Sequence, residues 1–211
     1  CTERNNMKFQ LIIISAFFAV CYSTSGVFGN AGPSRSNAHA DENTVGATTN
    51  KTGEQEMETA TFAAGCFWGV EATFRSVPGV LGTAVGYTGG TTQDPDYKEV
   101  CSGRTGHAEA VRVVFDPDKV SFRTLLEVFW KSHNPTTLNR QGPDVGTQYR
   151  SAIFYHSLRQ KEEAVASKEA LEREKVFRQP IVTQVVPATQ FYRAEEYHQQ
   201  YLEKRGLATC H

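Results

Sequence analysis

The residues best suited to do chemistry lie in Gly65-Cys66-Phe67-Trp68-Gly69. A short β-like run, Glu58 to Ala63, precedes them, and Val70, Phe74 and Val77 follow at helical spacing, so Cys66 is expected at or near a helix N-terminus. Unpaired backbone N–H groups and the positive end of the helix dipole favour a thiolate there, and the thiolate is the reactive form of cysteine. Gly65 and Gly69 let a backbone come close, while Phe67 and Trp68 can wall a small apolar pocket. The pattern suits a nucleophile aimed at a small, partly apolar group. Taken alone, a cysteine among aromatics is more often a buried small hydrophobe. Metal chemistry is not expected, because His107 and His133 belong to no Cys-x-x-Cys or His-x-x-x-His pair and each reads as a loop hydrogen-bonder. No glycine-rich phosphate loop or dinucleotide fingerprint stands at a strand-to-helix turn.

The elements that must position Cys66 can be followed along the chain. A strand from Glu58 to Ala63 leads into the Cys66 helix, which should stop before Pro78-Gly79, and a second strand runs from Val80 to Tyr87. Gly89-Gly90 opens a polar loop through Tyr97 to Gly106, and loops of that length inside a compact domain are usually functional. Glu109 to Asp116 alternates, with Val111, Val113 and Phe115 on one face. Ser121 caps a helix from Phe122 to His133 whose Phe122, Leu125, Leu126, Phe129 and Trp130 form a core stripe. A second long loop covers Asn134 to Gln148, then a strand Arg150 to Tyr155. Ser157-x-x-Gln160 reads as a capping box opening a charged helix to about Lys175. A last strand, Ile181 to Val186, and a helix, Ala194 to Arg205, precede a flexible tail ending Thr209-Cys210-His211. The order β-α-β-β-α-β-α-β-α predicts the α+β class: a two-layer sandwich with a mixed sheet, built on a split β-α-β or ferredoxin-like core.

With 211 residues, 39% of them hydrophobic, the chain can bury one proper core, so a single domain over 57–211 and a monomer are expected. A formal net charge of −1 gives no electrostatic case for nucleic acid or for a general membrane-surface role. Residues 1–29 read as a short upstream flank and a signal peptide: Met7, Lys8, an apolar run from Phe9 to Val20 too short for a comfortable span, and cleavage after Gly29. That predicts export to a periplasm, a secretory lumen or an organelle. Cys21 as a lipoprotein acceptor is the competing reading, and Val20 and Phe18 fit that signal poorly. Residues 30–56, poor in large apolar side chains, are expected to be a disordered linker. Of five cysteines, Cys1 and Cys21 precede the domain, and the odd set Cys66, Cys101 and Cys210 suits redox chemistry better than a stapled scaffold.

The Cys66 motif is followed by Tyr87-Thr88-Gly89-Gly90, Val100-Cys101-Ser102-Gly103, Gly106-His107-Ala108-Glu109, Asn139-Arg140-Gln141-Gly142 and Gly146-Thr147-Gln148-Tyr149-Arg150-Ser151. Together these resemble the peptide methionine sulfoxide reductases of the A type, over about Thr61 to Tyr201 and in order. The resemblance implies thiol-dependent reduction of methionine S-sulfoxide, free or in oxidised proteins, with no bound cofactor and with thioredoxin or dithiothreitol as reductant. It implies that Cys66 attacks sulfur and Glu109 is the acid, its pKa raised by an apolar site. Tyr97 and Tyr149 would hold the sulfoxide oxygen, Phe67 and Trp68 would pack around the methyl, and Asp144 would order polar groups or water. Without the resemblance, Glu109 reads as a solvent-facing strand-start glutamate and the tyrosines as interfacial. A Cys66 sulfenic acid would condense with Cys210, the resolving thiol, and Cys101 reads as structural or as the fallback resolver. Many members carry a second tail cysteine. Its absence here means either a truncated tail or direct reduction of a Cys66–Cys210 disulfide. A redox-sensing module that holds methionine without turnover is the alternative, and a cysteine hydrolase is disfavoured because no histidine is placed by motif as its base.

Overall fold

Alternation along the strands gives one sheet two different faces, and the helices settle on the more apolar one. The computed structural model describes residues 56–207. The elements in order are β1 (Glu58–Ala64), α1 (Phe67–Arg75), β2 (Val80–Thr88), α2 (Tyr97–Cys101), β3 (Ala108–Phe115), α3 (Phe122–Ser132), β4 (Arg140–Gln141), β5 (Asp144–Val145), β6 (Ser151–Tyr155), α4 (Leu158–Arg173), β7 (Gln184–Pro187), β8 (Tyr192–Arg193) and α5 (Tyr201–Lys204). Six strands form one sheet in the order β7-β6-β1-β3-β2-β8, antiparallel except for the parallel β6–β7 pair, while β4 and β5 make a separate hairpin. β1 and β2 both run antiparallel to β3 between them, which is the split β-α-β arrangement and the expected α+β class. No helix among the described residues is long and apolar enough to cross a membrane.

The period-2 pattern sends Phe62, Val111, Val113 and Phe115 to the helical face. Phe62, fully buried, stacks on Phe74 of α1 at 4.8 Å and on Phe129 of α3 at 5.4 Å. Burying each such ring is worth about 1.5–3 kcal/mol relative to leaving it exposed. Ser121 caps α3 by accepting the Thr124 N–H, and all five residues of the expected stripe are buried. The opposite face is thinner: Ala63, Ala108, Ala110, Ala152 and Phe154, with Ala188 and Phe191 laid across them.

Four chain connections leave or enter the sheet at one end. Ala64 pairs with Ser151 and Thr88 with Ala108, so the end of β1, the end of β2, the start of β3 and the start of β6 are level. Cys66, Tyr149, Glu109 and the loop carrying Tyr97 are each within a short distance in sequence of that edge.

Several elements depart from the sequence expectation, each for a local reason. The first long loop contains the one-turn helix α2, nucleated by a reciprocal capping box between Asp96 and Glu99, with Val100 its buried residue. The second holds the β4–β5 hairpin and a 3-10 turn, Thr147–Tyr149. The last strand begins at Gln184, not Ile181, because the Val182 N–H bonds to Pro135 O in a loop instead of to the sheet. At α4 the Ser157 side chain caps Gln160 N–H, but Gln160 reaches back to His156 N–H, not Ser157 N–H. The expected helix from Ala194 to Arg205 is broken into a 3-10 turn Glu196–His198 and the short α5, with β8 ending just before it. Side chains outcompete the helix there: Gln199 takes both backbone groups of Val85 and the Ala194 carbonyl, and Gln200, at φ 53°, gives its N–H to buried Glu71. The signal peptide, the linker up to residue 55, Cys21 and Cys210 lie outside the described residues.

Candidate active site

Cys66 is half-buried at the N-cap of α1, where its carbonyl accepts the Val70 N–H at 3.4 Å and its side chain makes no capping hydrogen bond. The residue therefore stands at the N–H end of the helix, where the sequence places it. Gly65 turns at φ +95°, and a Cβ there would meet the Gln141 side chain at 2.7 Å. Gln141 is fixed in turn by bonds to both backbone groups of Asn134, so the β4–β5 hairpin closes over the residue preceding the thiol.

Strand parity places Glu109. It shares the helical face with Val111 and Val113, lies opposite Tyr87 in the β2–β3 ladder, and is 2% exposed. Its Oε2 accepts the Phe67 N–H at 3.1 Å, which fixes the carboxyl one residue from Cys66 along the chain. Burial pushes its pKa from 4.5 up to about 7, against the pull of the Phe67 N–H and with help from the negative charge of Asp144. A carboxyl so placed exchanges a proton near neutral pH, as a general acid must.

Two phenols face this carboxyl. Tyr97, at the start of α2, is held well above the ordinary phenol value by burial, then by its hydrogen bond to the Cys101 sulfur, with Glu109 and Tyr149 adding to the shift. Tyr149, in the 3-10 turn before β6, is raised by burial, then by Glu109, Asp144, Cys101 and Cys66. Both remain neutral O–H donors across the physiological range. Asp144 thus belongs to the same cluster through its field on Glu109 and Tyr149. Cys101 also belongs to it. The residue is exposed, yet its thiol is raised by partial burial and by Glu109, with Tyr97 bonding to it.

Phe67 is 1% exposed and packs against Trp68, Tyr87 and His198, so it contributes its backbone N–H as well as its ring. Trp68 is half-buried, stacked at 3.8 Å on Tyr201, with its indole N–H donated to His198 Nδ1 at 3.0 Å. His107 serves the loop, accepting the Gly90 N–H at Nδ1 and donating from Nε2 to Thr92 O. His133 bridges Phe129 O and Ser151 Oγ. No group of three or more His, Cys, Asp or Glu among the described residues is set to hold a metal ion.

Sequence reasoning missed the clamp that holds Tyr97. Glu195 accepts the Tyr97 N–H at 3.0 Å and the buried Tyr87 O–H at 2.9 Å. Partial burial opposes its ionisation, but those two donors and His198 leave it below the usual carboxylate value. His198, 1% exposed, packs its ring 4.4 Å from Tyr97 and 5.1 Å from Phe67, and burial holds its imidazole below the ordinary value. With Nδ1 accepting from Trp68, the proton is on Nε2, 3.9 Å from Glu195 Oε2. The only trace in the sequence is the run Glu195-Glu196-Tyr197-His198-Gln199-Gln200, which reads as part of the helix from Ala194 to Arg205.

A thiol at a helix N-terminus, a buried carboxyl poised near neutral pH and two phenol donors have the chemistry to cleave a polar bond to oxygen by thiolate attack and proton delivery. A family model described as Peptide methionine sulfoxide reductase matches residues 58–211. The Peptide methionine sulfoxide reductase MsrA of Methanosarcina acetivorans is 64% identical over 151 residues, covering 72% of this chain and 80% of the relative. Among solved structures, Mxr1 from Saccharomyces cerevisiae in reduced form superposes with a TM-score of 0.68 at 38% identity, over 74% of this chain and 89% of that one. Mxr1 in complex with Trx2 matches with a TM-score of 0.51 at 28% identity, over 73% and 91%.

Proposed function

Because the chain belongs to the peptide methionine sulfoxide reductase family and is an enzyme of its A type, a peptide-methionine (S)-S-oxide reductase, we propose that Cys66 and Glu109 divide the reaction between them. The Cys66 thiolate attacks the sulfoxide sulfur while Glu109 gives its proton to the sulfoxide oxygen. Tyr97 and Tyr149 donate to that oxygen as charge develops on it, and Phe67 and Trp68 bound the space for the methyl. The sulfur–sulfur bond formed by that attack breaks as the protonated oxygen passes to the Cys66 sulfur; the substrate's sulfur–oxygen bond is lost, methionine leaves reduced by two electrons, and Cys66, oxidised by two, is left as a sulfenic acid. Condensation with Cys210 then expels water and forms a disulfide that a thioredoxin-type dithiol reduces. The existence of a Mxr1–Trx2 complex supports such a partner. Export through the leader at residues 1–29 is part of the same reading, tested by sequencing the N-terminus of the mature protein.

The observation that carries this reading is the buried Glu109 carboxyl, anchored to the Phe67 N–H beside Cys66 and poised at about 7. Incubation with methionine sulfoxide and dithiothreitol should release methionine in the parent and not in Cys66→Ser. Turnover surviving in Cys66→Ser overturns the assignment of the nucleophile. With thioredoxin as reductant, Cys210→Ser should stop cycling after one methionine per chain, and cycling at the parent rate removes Cys210 from the scheme.

A further inference from the structure

The face of the sheet turned away from α1 carries a second concave site. Thr61 stands in register with Arg112 on one side and Phe154 on the other, so the three side chains share the back face. Segment 188–191 folds over them and, with Thr88 and His156, encloses a cavity of about 280 Å³. Among the described residues its lining contains one guanidinium, one imidazole, three threonine hydroxyls and the Gln190 amide, and no carboxylate.

Arg112 is the unusual member. It occupies a central strand, its guanidinium stacks over Phe191 at 4.6 Å, and its side chain makes no ion pair or hydrogen bond among the described residues. The stack occupies the guanidinium face and leaves in-plane N–H groups, the fork that matches a carboxylate or phosphate, without an acceptor among the described residues. The walls are already tied in place. Thr88 donates to Gln190 O at 2.9 Å, the Gly89 N–H donates to Thr189 Oγ1 at 3.2 Å, and Thr61 Oγ1 lies 2.9 Å from His156 Nε2. A concave site with a fixed cation and no counter-charge draws small anions.

We propose that this cavity binds a small oxyanion, a carboxylate or phosphate group, on Arg112, with Gln190 and His156 at its edge, as a site separate from Cys66. His156 supplies the signature. Burial first, and then the Arg112 charge, hold its imidazole below the ordinary value. An anion on Arg112 cancels the second cause, so the His156 midpoint must rise on binding.

The test is an NMR titration of the labelled full-length chain with inorganic phosphate and, separately, with acetate, at constant ionic strength. The expected result is a saturable shift of the Thr189 and Gln190 amides and an upward move of the His156 midpoint. Both effects should be lost in Arg112→Gln and weakened in Arg112→Lys, which keeps the charge and loses the fork, while methionine sulfoxide turnover stays at the parent level in both. A response to acetate alone identifies a carboxylate ligand, and a response to phosphate alone identifies a phosphate one. No saturable shift with either anion, or an unchanged response in a folded Arg112→Gln, overturns the proposal.

Discussion

Replacing Glu109 by Gln should make the protein a poorer enzyme and a more stable fold, and the stability gain should grow with pH. The amide introduced by Glu109→Gln keeps an acceptor for the Phe67 N–H but has no proton to titrate and no charge to bury. In the parent, the carboxyl moves from 4.5 to about 7 on folding. The unfolded chain therefore releases the proton above about 4.5 while the native state keeps it to about 7, and stability falls as pH rises through that window. At 1.36 kcal/mol per pH unit, the native state carries a penalty of about 1 kcal/mol at pH 5 and about 3 kcal/mol at pH 8, which the variant lacks. Urea unfolding followed by Trp68 and Trp130 fluorescence at several pH values measures the difference directly. Turnover in the variant should drop by about 10²–10⁴-fold, the usual contribution of a general acid. A variant whose stability advantage is the same at pH 5 and pH 8, or that is less stable at both, refutes the claim that this carboxyl is buried and holds its proton.

Other outcomes follow from the same geometry. In the parent, kcat/KM should fall as pH rises through about 7, where Glu109 loses its proton, and a flat alkaline profile there would remove it as the acid. Tyr97→Phe and Tyr149→Phe should each lower kcat/KM by about 10–100-fold, the size of a hydrogen bond to a charged group, measured with methionine sulfoxide and dithiothreitol. Glu195→Ala leaves the buried Tyr87 O–H without its acceptor and frees the Tyr97 N–H. It should cost about 1–3 kcal/mol in urea and slow turnover while the alkylation rate of Cys66 stays unchanged. His133, which burial holds down at about 4, must be protonated on unfolding below 6.5, so the fold loses stability as pH falls from 6.5 towards 4. His133→Gln should flatten that acid limb, and a limb of unchanged slope would show that another group causes it.

What the amino-acid sequence determined by itself is the local part of the site. Gly65 makes the turn, the apolar spacing after it makes a helix, and together they put Cys66 at its N-terminus whatever else the chain does. Alternation in β3 is equally local and commits Glu109 to the same face as Val111 and Val113. Those signals are legible because glycine conformation, caps and period-2 patterning act over a few residues. Tertiary structure alone decided that the Ala194 to Arg205 stretch abandons its helix, since Glu195, Gln199 and Gln200 commit their hydrogen bonds to Tyr97, Val85 and Glu71, residues about a hundred or more positions away. It also decided that Cys101 stands within reach of Tyr97 and Glu109, and that Glu109 titrates at about 7 instead of in the usual carboxylate range. Burial and field are properties of the assembled neighbours, and no window of the sequence contains them.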